Sequence, residues 1–131
     1  MSRTKNREQA FALLFEQLFN DRPVQELAEG AVDARNEEVE AFALALAQGT
    51  ESHTQEIDAC IAAHLHNWSM NRISRVALAV LRLAVYEMLY REDIPVSVSI
   101  NEAVELAKRY GGQEDASFIN GVLGSVAREP A

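Results

Sequence analysis

Apolar positions recur at helical intervals along the whole chain, and nowhere alternate in the manner of a half-buried strand. The first run predicts a helix from about Thr4 to Asn20, with Phe11, Leu14, Phe15 and Leu18 at helical spacing and Pro23 beyond its end. A shorter helix is expected around Val24–Ala34, weakened by Gly30. A third begins after Asn36 and runs toward His66, with Gly49-Thr50 as the place where it bends or splits. Ser69 can cap a short turn through Arg72, followed by a helix of roughly Ser74–Arg91. In that helix Val76, Leu78, Ala79, Val80, Leu81, Leu83 and Val85 leave almost no polar side, the mark of the buried centre of a bundle. Ile94-Pro95 ends it. In the closing block, Asn101 is placed to cap a helix, Gly111-Gly112 to stop it and Asp115 to start the last one. The expectation is an all-α fold, a single compact domain over residues 1–131 with about seven helices and no repeat or linker.

Composition agrees with that picture. A 131-residue chain with 48% hydrophobic residues, 7% aromatics and three prolines suits one helical domain with a sizeable core. The one cysteine, Cys60, has no internal partner and fits a reducing compartment. No amino-terminal apolar run precedes a small-residue cleavage site, and the longest apolar stretch, Val76–Leu81, is too short to span a bilayer. A soluble, cytoplasmic protein without membrane contact is expected.

Charge changes the picture by its distribution. The net charge of −8 opposes polyanion binding, which depends on Lys and Arg releasing counterions. Yet nine of the acids lie between Gln25 and Asp58, accompanied by the one base Arg35, and read as a solvated face. Arg3, Lys5 and Arg7 open the chain with no acid among them, and Arg72, Arg75 and Arg82 follow later.

Catalytic chemistry finds little support. Cys60 and His64 share a helical face, but His66 points elsewhere and no second ligand pair follows, so no metal site is expected. Glu102 and Glu105 suit an early helical turn, and Gly111-Gly112 lacks the strand and lysine of a phosphate loop. No enzyme and no cofactor are expected.

The amino terminus is locally unfavourable. Arg3 and Arg7 repel at i, i+4, and bases in a first helical turn oppose the macrodipole. Bases leading into Phe11 and Phe15 supply what single-stranded RNA needs, phosphate contacts and a flat stacking surface. A frayed, solvated terminus with both rings in the core explains the same residues.

Trp68, the run Arg72–Leu89, the opening REQAFALLF and the segments INEAVELAKRYGG and FINGVL together resemble the NusB-type bacterial transcription antitermination factors, nearly end to end. The resemblance implies a NusB-like helical bundle that binds boxA-like RNA of ribosomal RNA operons together with NusE, a small-subunit ribosomal protein, on the RNA polymerase elongation complex. By that resemblance Arg3, Lys5 and Arg7 match the basic RNA-binding segment and Phe15 the aromatic beside the RNA. Phe118 matches a residue near the RNA, and Glu114 an acidic position at the edge of that surface. From the residues alone, Phe118 serves equally as a core aromatic and Glu114 as solvated charge. Thr4 and Asn6 stand where more basic members carry further positive charge.

For the protein partner, Arg72, Arg75 and Ala77 are the candidates. Many members carry an acid and then a base at the positions of Ala77 and Leu78, so the NusE contact is expected to be weaker or differently built, or the apolar pair to favour a homodimer. Arg82, within the most apolar helix, is expected to pair with a carboxylate. Two alternatives stand beside this reading. One is a non-enzymatic helical protein–protein module or homodimer without intrinsic RNA binding. The other is the similar domain that precedes a Rossmann-type domain in ribosomal RNA cytosine methyltransferases.

Overall fold

A computed structural model describes residues 2–66 and 68–129, with the backbone alone at residue 35; residues 1, 67, 130 and 131 lie outside the described set. Within it the chain forms α1 (Arg3–Gln17), α2 (Val24–Arg35), α3 (Ala41–Ser52), α4 (Thr54–Ala63), a 3-10 turn (Met70–Arg72), α5 (Arg75–Tyr90), α6 (Val96–Tyr110) and α7 (Gln113–Arg128). No strand occurs among the described residues, and no helix among them is long and apolar enough to cross a membrane.

The centre is α5. It buries Ala77, Ala79, Val80, Leu81, Leu83, Ala84 and Val85 and packs against α1, α3, α4, α6 and α7. Its three buried alanines, Ala77, Ala79 and Ala84, let neighbouring helices approach closely, and Leu46, Ile57, Ile61, Ile119 and Leu123 fill the space between. Ser74 caps it, its hydroxyl accepting from the Ala77 N–H at 3.0 Å. The carboxyl-terminal α6 and α7 form a helical hairpin across a short turn.

Three boundaries differ from the sequence expectation, each for a local reason. The long third helix divides at His53 rather than at Gly49-Thr50. Gly49 lies within α3, and its missing Cβ makes room for the Tyr86 ring of α5, so the glycine serves close packing rather than a break. Asn101 is no cap: α6 starts six residues earlier, with Pro95 at its N-cap, and Asn101 sits exposed in mid-helix. Asp115 likewise falls within the first turn of α7, because Gly112 (φ 105°) takes the N-cap in a conformation that favours glycine. The Gly111 and Gly112 N–H groups both donate to the Ala107 carbonyl at 2.8 Å, closing α6 as expected.

Candidate nucleic-acid interface

The three bases of α1 point three ways. Arg3 is exposed at the rim near the end of α5, with its guanidinium 4.1 Å from the Phe42 ring centroid and 3.9 Å from Asp93. Lys5 is exposed on the other side of the helix, loosely paired with Glu8 at 3.7 Å. Arg7 turns inward. It is 3% exposed, and its Nε and Nη2 donate to both carboxylate oxygens of Glu87, itself 2% exposed, at 2.9–3.2 Å. The Ser99 hydroxyl donates to the same carboxylate at 2.8 Å, and Glu102 stands 3.8 Å from Arg7 Nη1. This corrects the expectation that Arg7 contacts phosphate: its charge is consumed by a buried carboxylate on α5, and it ties α1 to α5 and α6. Asn6 is buried too, so a base there would not have widened a surface patch, whereas exposed Thr4 donates to Glu102.

Beyond Arg7 on α1 runs a row of rings, with Lys5 lining a shallow depression beside Tyr110 at its start. Tyr110, at the end of α6, stacks on Phe11 at 5.0 Å; Phe11 stacks on Phe15 at 5.7 Å; Phe15 meets Phe19 edge-on at 5.1 Å. Spacing by four residues puts Phe11 and Phe15 on one helical stripe, and the turn that follows Gln17 brings Phe19 beside them. Phe11 is buried and Phe15 half-buried, while Tyr110 and Phe19 are exposed at the two ends. Arg109 flanks the Tyr110 end, where it also pairs with Glu8 at 2.6 Å, and the Arg75 guanidinium lies 4.8 Å from the Phe19 centroid. Sequence reasoning singled out Phe15 and missed Phe19 and Tyr110. The i, i+4, i+8 spacing of Phe11, Phe15 and Phe19 was the available signal; Tyr110 gave none, because its neighbour is 99 positions away in the chain.

A second aromatic group lies at the other side of the α5 N-terminus. Phe118, half-buried on α7, packs against Trp68 at 6.0 Å, and Arg72 lies 4.6 Å from the Trp68 ring centroid. Between the two groups the Ser74 hydroxyl donates to Asp115 at 3.0 Å, joining the start of α5 to the first turn of α7. Glu114 is exposed in that turn. Ala77 is 0% exposed, which corrects its place among partner-binding residues: it faces the core and can neither touch a partner nor extend a surface apolar patch. Leu78 is half-buried. Arg82 pairs bidentately with Asp58 at 2.8 and 2.9 Å, as expected.

The remaining polar candidates serve structure. His64 joins Ser125 and Glu129 through its two ring nitrogens at 2.8 and 2.7 Å, fixing α4 to the end of α7. Burial, then the nearby Glu129 charge, pushes the Cys60 thiol above its ordinary range, the opposite of an activated nucleophile. Among the described residues no three His, Cys, Asp or Glu side chains gather as a metal site would require.

Comparison with known proteins places these features in a family. The NusB family model matches residues 4–128. The transcription antitermination protein NusB of Bacillus subtilis (strain 168) is 45% identical over 126 residues, covering 96% of this chain and 95% of that protein. The solved T. maritima NusB superposes with a TM-score of 0.87 at 36% identity, covering 100% of this chain and 94% of that one. A crystal structure of the antitermination factors NusB and NusE in complex with dsRNA matches with a TM-score of 0.82 at 28% identity, covering 96% of this chain and 97% of that one.

Proposed function

The chain belongs to the NusB family, and from that premise we propose that it is a transcription antitermination factor binding boxA-like single-stranded RNA of ribosomal RNA operons together with NusE. The observation that carries the RNA half is the α1 edge. In a protein of net charge −8, a row of rings runs from Tyr110, which shares a surface depression with Lys5, to Phe19, which lies under Arg75. Rings offer every base a stacking face, and bases at the margin hold the phosphates. Its mechanism is assembly rather than catalysis, in the cytoplasm: RNA and NusE are held together on the elongating polymerase.

Lys5 and Arg3 contact phosphates, Phe15 and Phe118 meet bases, and Glu114 borders the surface. Arg7 acts from the interior by holding α1 in place. NusE has no acid to meet at Ala77, so its contacts fall on other residues of this chain.

The test is an anisotropy titration of labelled boxA RNA and a scrambled control, with and without NusE, across salt concentrations. Two phosphate contacts give a log–log salt slope no shallower than about −1.4 on single-stranded RNA. Preference for boxA, strengthened by NusE, is the expected result. Equal binding of both RNAs, or none even with NusE, leaves a helical protein–protein module and overturns the proposal.

A further inference from the structure

Five of the nine arginines with described side chains in this acidic chain have found an acid. Arg3, Arg7, Arg82, Arg91 and Arg109 each have a carboxylate within 4.0 Å. Arg22, Arg72, Arg75 and Arg128 have none among the described residues, and of these four Arg72 and Arg75 each lie over an aromatic ring, Trp68 at 4.6 Å and Phe19 at 4.8 Å. Those two rings are unusually open for their size, 43% and 60% exposed. An exposed ring covered by an exposed guanidinium that lacks an anion is poor stability design, because each cation–π contact at such a site is weak. It is a good receptor for a nucleotide. The guanidinium plane is itself a stacking surface, its edge takes a phosphate in a fork, and the ring beneath fixes its orientation in advance.

Position adds to chemistry. The two pairs flank the N-terminus of α5, Phe19–Arg75 on the α1 side and Trp68–Arg72 on the α7 side. Phe19 touches Phe15 and Trp68 touches Phe118, the two rings that the proposed RNA site already uses. Without these pairs that site is two separate patches; with them it is one path.

Resting on the RNA-binding reading above, we propose that Phe19–Arg75 and Trp68–Arg72 are two further nucleotide stations. At each a base stacks on the guanidinium or the exposed ring and a phosphate meets the arginine. The strand therefore passes around the start of α5 from Phe15 to Phe118, and Arg72 and Arg75 face RNA rather than a protein partner.

The chain's one tryptophan makes the path directly observable. Titration with unlabelled boxA RNA should quench Trp68 emission with the same midpoint as the anisotropy of labelled RNA. Phe19→Ala and Arg75→Ala should each weaken RNA binding about tenfold. Arg75→Ala should also make the salt slope shallower by about 0.7. Arg75→Lys should keep the slope yet recover little affinity, since a point charge cannot stack. Because these side chains are exposed, circular dichroism and NusE binding measured without RNA should stay unchanged. If the wild-type protein binds boxA while Trp68 emission and the affinities of the variants do not move, the path is wrong although the RNA reading stands. Loss of NusE binding in place of RNA binding would reassign both arginines to the protein interface. Failure of the wild-type protein to bind boxA at all would remove the RNA reading together with the path.

Discussion

Removing Arg7 tests whether its charge belongs to the interior or to the ligand. The guanidinium makes three contacts of 2.9–3.2 Å with Glu87, and both side chains are almost wholly shielded from water. Arg7→Met leaves the Glu87 carboxylate buried with Ser99 as its remaining hydrogen-bond donor. Breaking one side of such a pair costs about 3–5 kcal/mol, because the surviving charge keeps its desolvation penalty and loses its partner. Against a typical domain stability of about 5–15 kcal/mol, that is a large share. At roughly 4 °C per kcal/mol for a chain of this length, the melting temperature should fall by about 12–20 °C. Glu87→Met alone should cost a similar amount by stranding Arg7. The double variant Arg7→Met/Glu87→Met should be far more stable than the sum of the two predicts, with a coupling of about 2 kcal/mol or more. Urea denaturation followed by circular dichroism supplies all four corners of the cycle. A single Arg7 variant costing less than about 1 kcal/mol, with additive losses in the cycle, would refute the buried anchor. A shallower salt slope for RNA in a folded Arg7 variant would return this residue to the phosphate contacts.

Four further outcomes follow from the same geometry. Lys5→Ala should leave stability unchanged while making the RNA salt slope shallower by about 0.7; an unchanged slope would take Lys5 off the RNA path. Gly49→Ala should destabilise by about 1–3 kcal/mol, since the new methyl meets the Tyr86 ring, whereas helix propensity alone would stabilise by about 1 kcal/mol; the sign of the change in urea midpoint decides. Asn101→Ala should be neutral or stabilising by about 0.5 kcal/mol as an exposed mid-helix change, and a loss of about 1 kcal/mol would restore its role as a cap. Cys60, its thiol pushed up by burial and Glu129, should react with a disulfide reagent at pH 8 several-fold more slowly in the native protein than in urea. A native rate at or above the unfolded rate would show an activated thiol.

Periodicity revealed the helices because each needs an apolar stripe, and the all-apolar run of α5 revealed the centre because no exposed helix tolerates it. What remained hidden depended on partners distant in sequence. Arg7 and Lys5 look alike as letters in a basic opening, but Arg7 shares the buried side of α1 with Ala10, Phe11 and Leu14, where Glu87, eighty residues on, neutralises it. Ala77 looked like a lost surface acid, but it lies on the side of α5 that faces the core. Asn101 was a sound cap by type, displaced by a proline that starts the helix earlier. The candidate site was half legible: Phe15, Phe118 and Lys5 stand beside open aromatic rings, whereas Phe19, Trp68 and Tyr110 gained their meaning only when α1, α6 and the start of α5 came together.

The anchoring of α1 to α5 also orders events during synthesis. Helices α2 and α3 can form around α1 as soon as they emerge, and α6 can later close on α7 through contacts local in sequence. Arg7, by contrast, must wait for Glu87 and then Ser99 before its charge is neutralised in the interior. Until then the first helix carries a solvated guanidinium on the side destined for the core. Tyr110 and Phe118 arrive later still, so the ring surface is complete only once nearly the whole chain has been made. A fragment released early by a stalled ribosome would therefore lack the surface that engages RNA and could not compete with finished molecules.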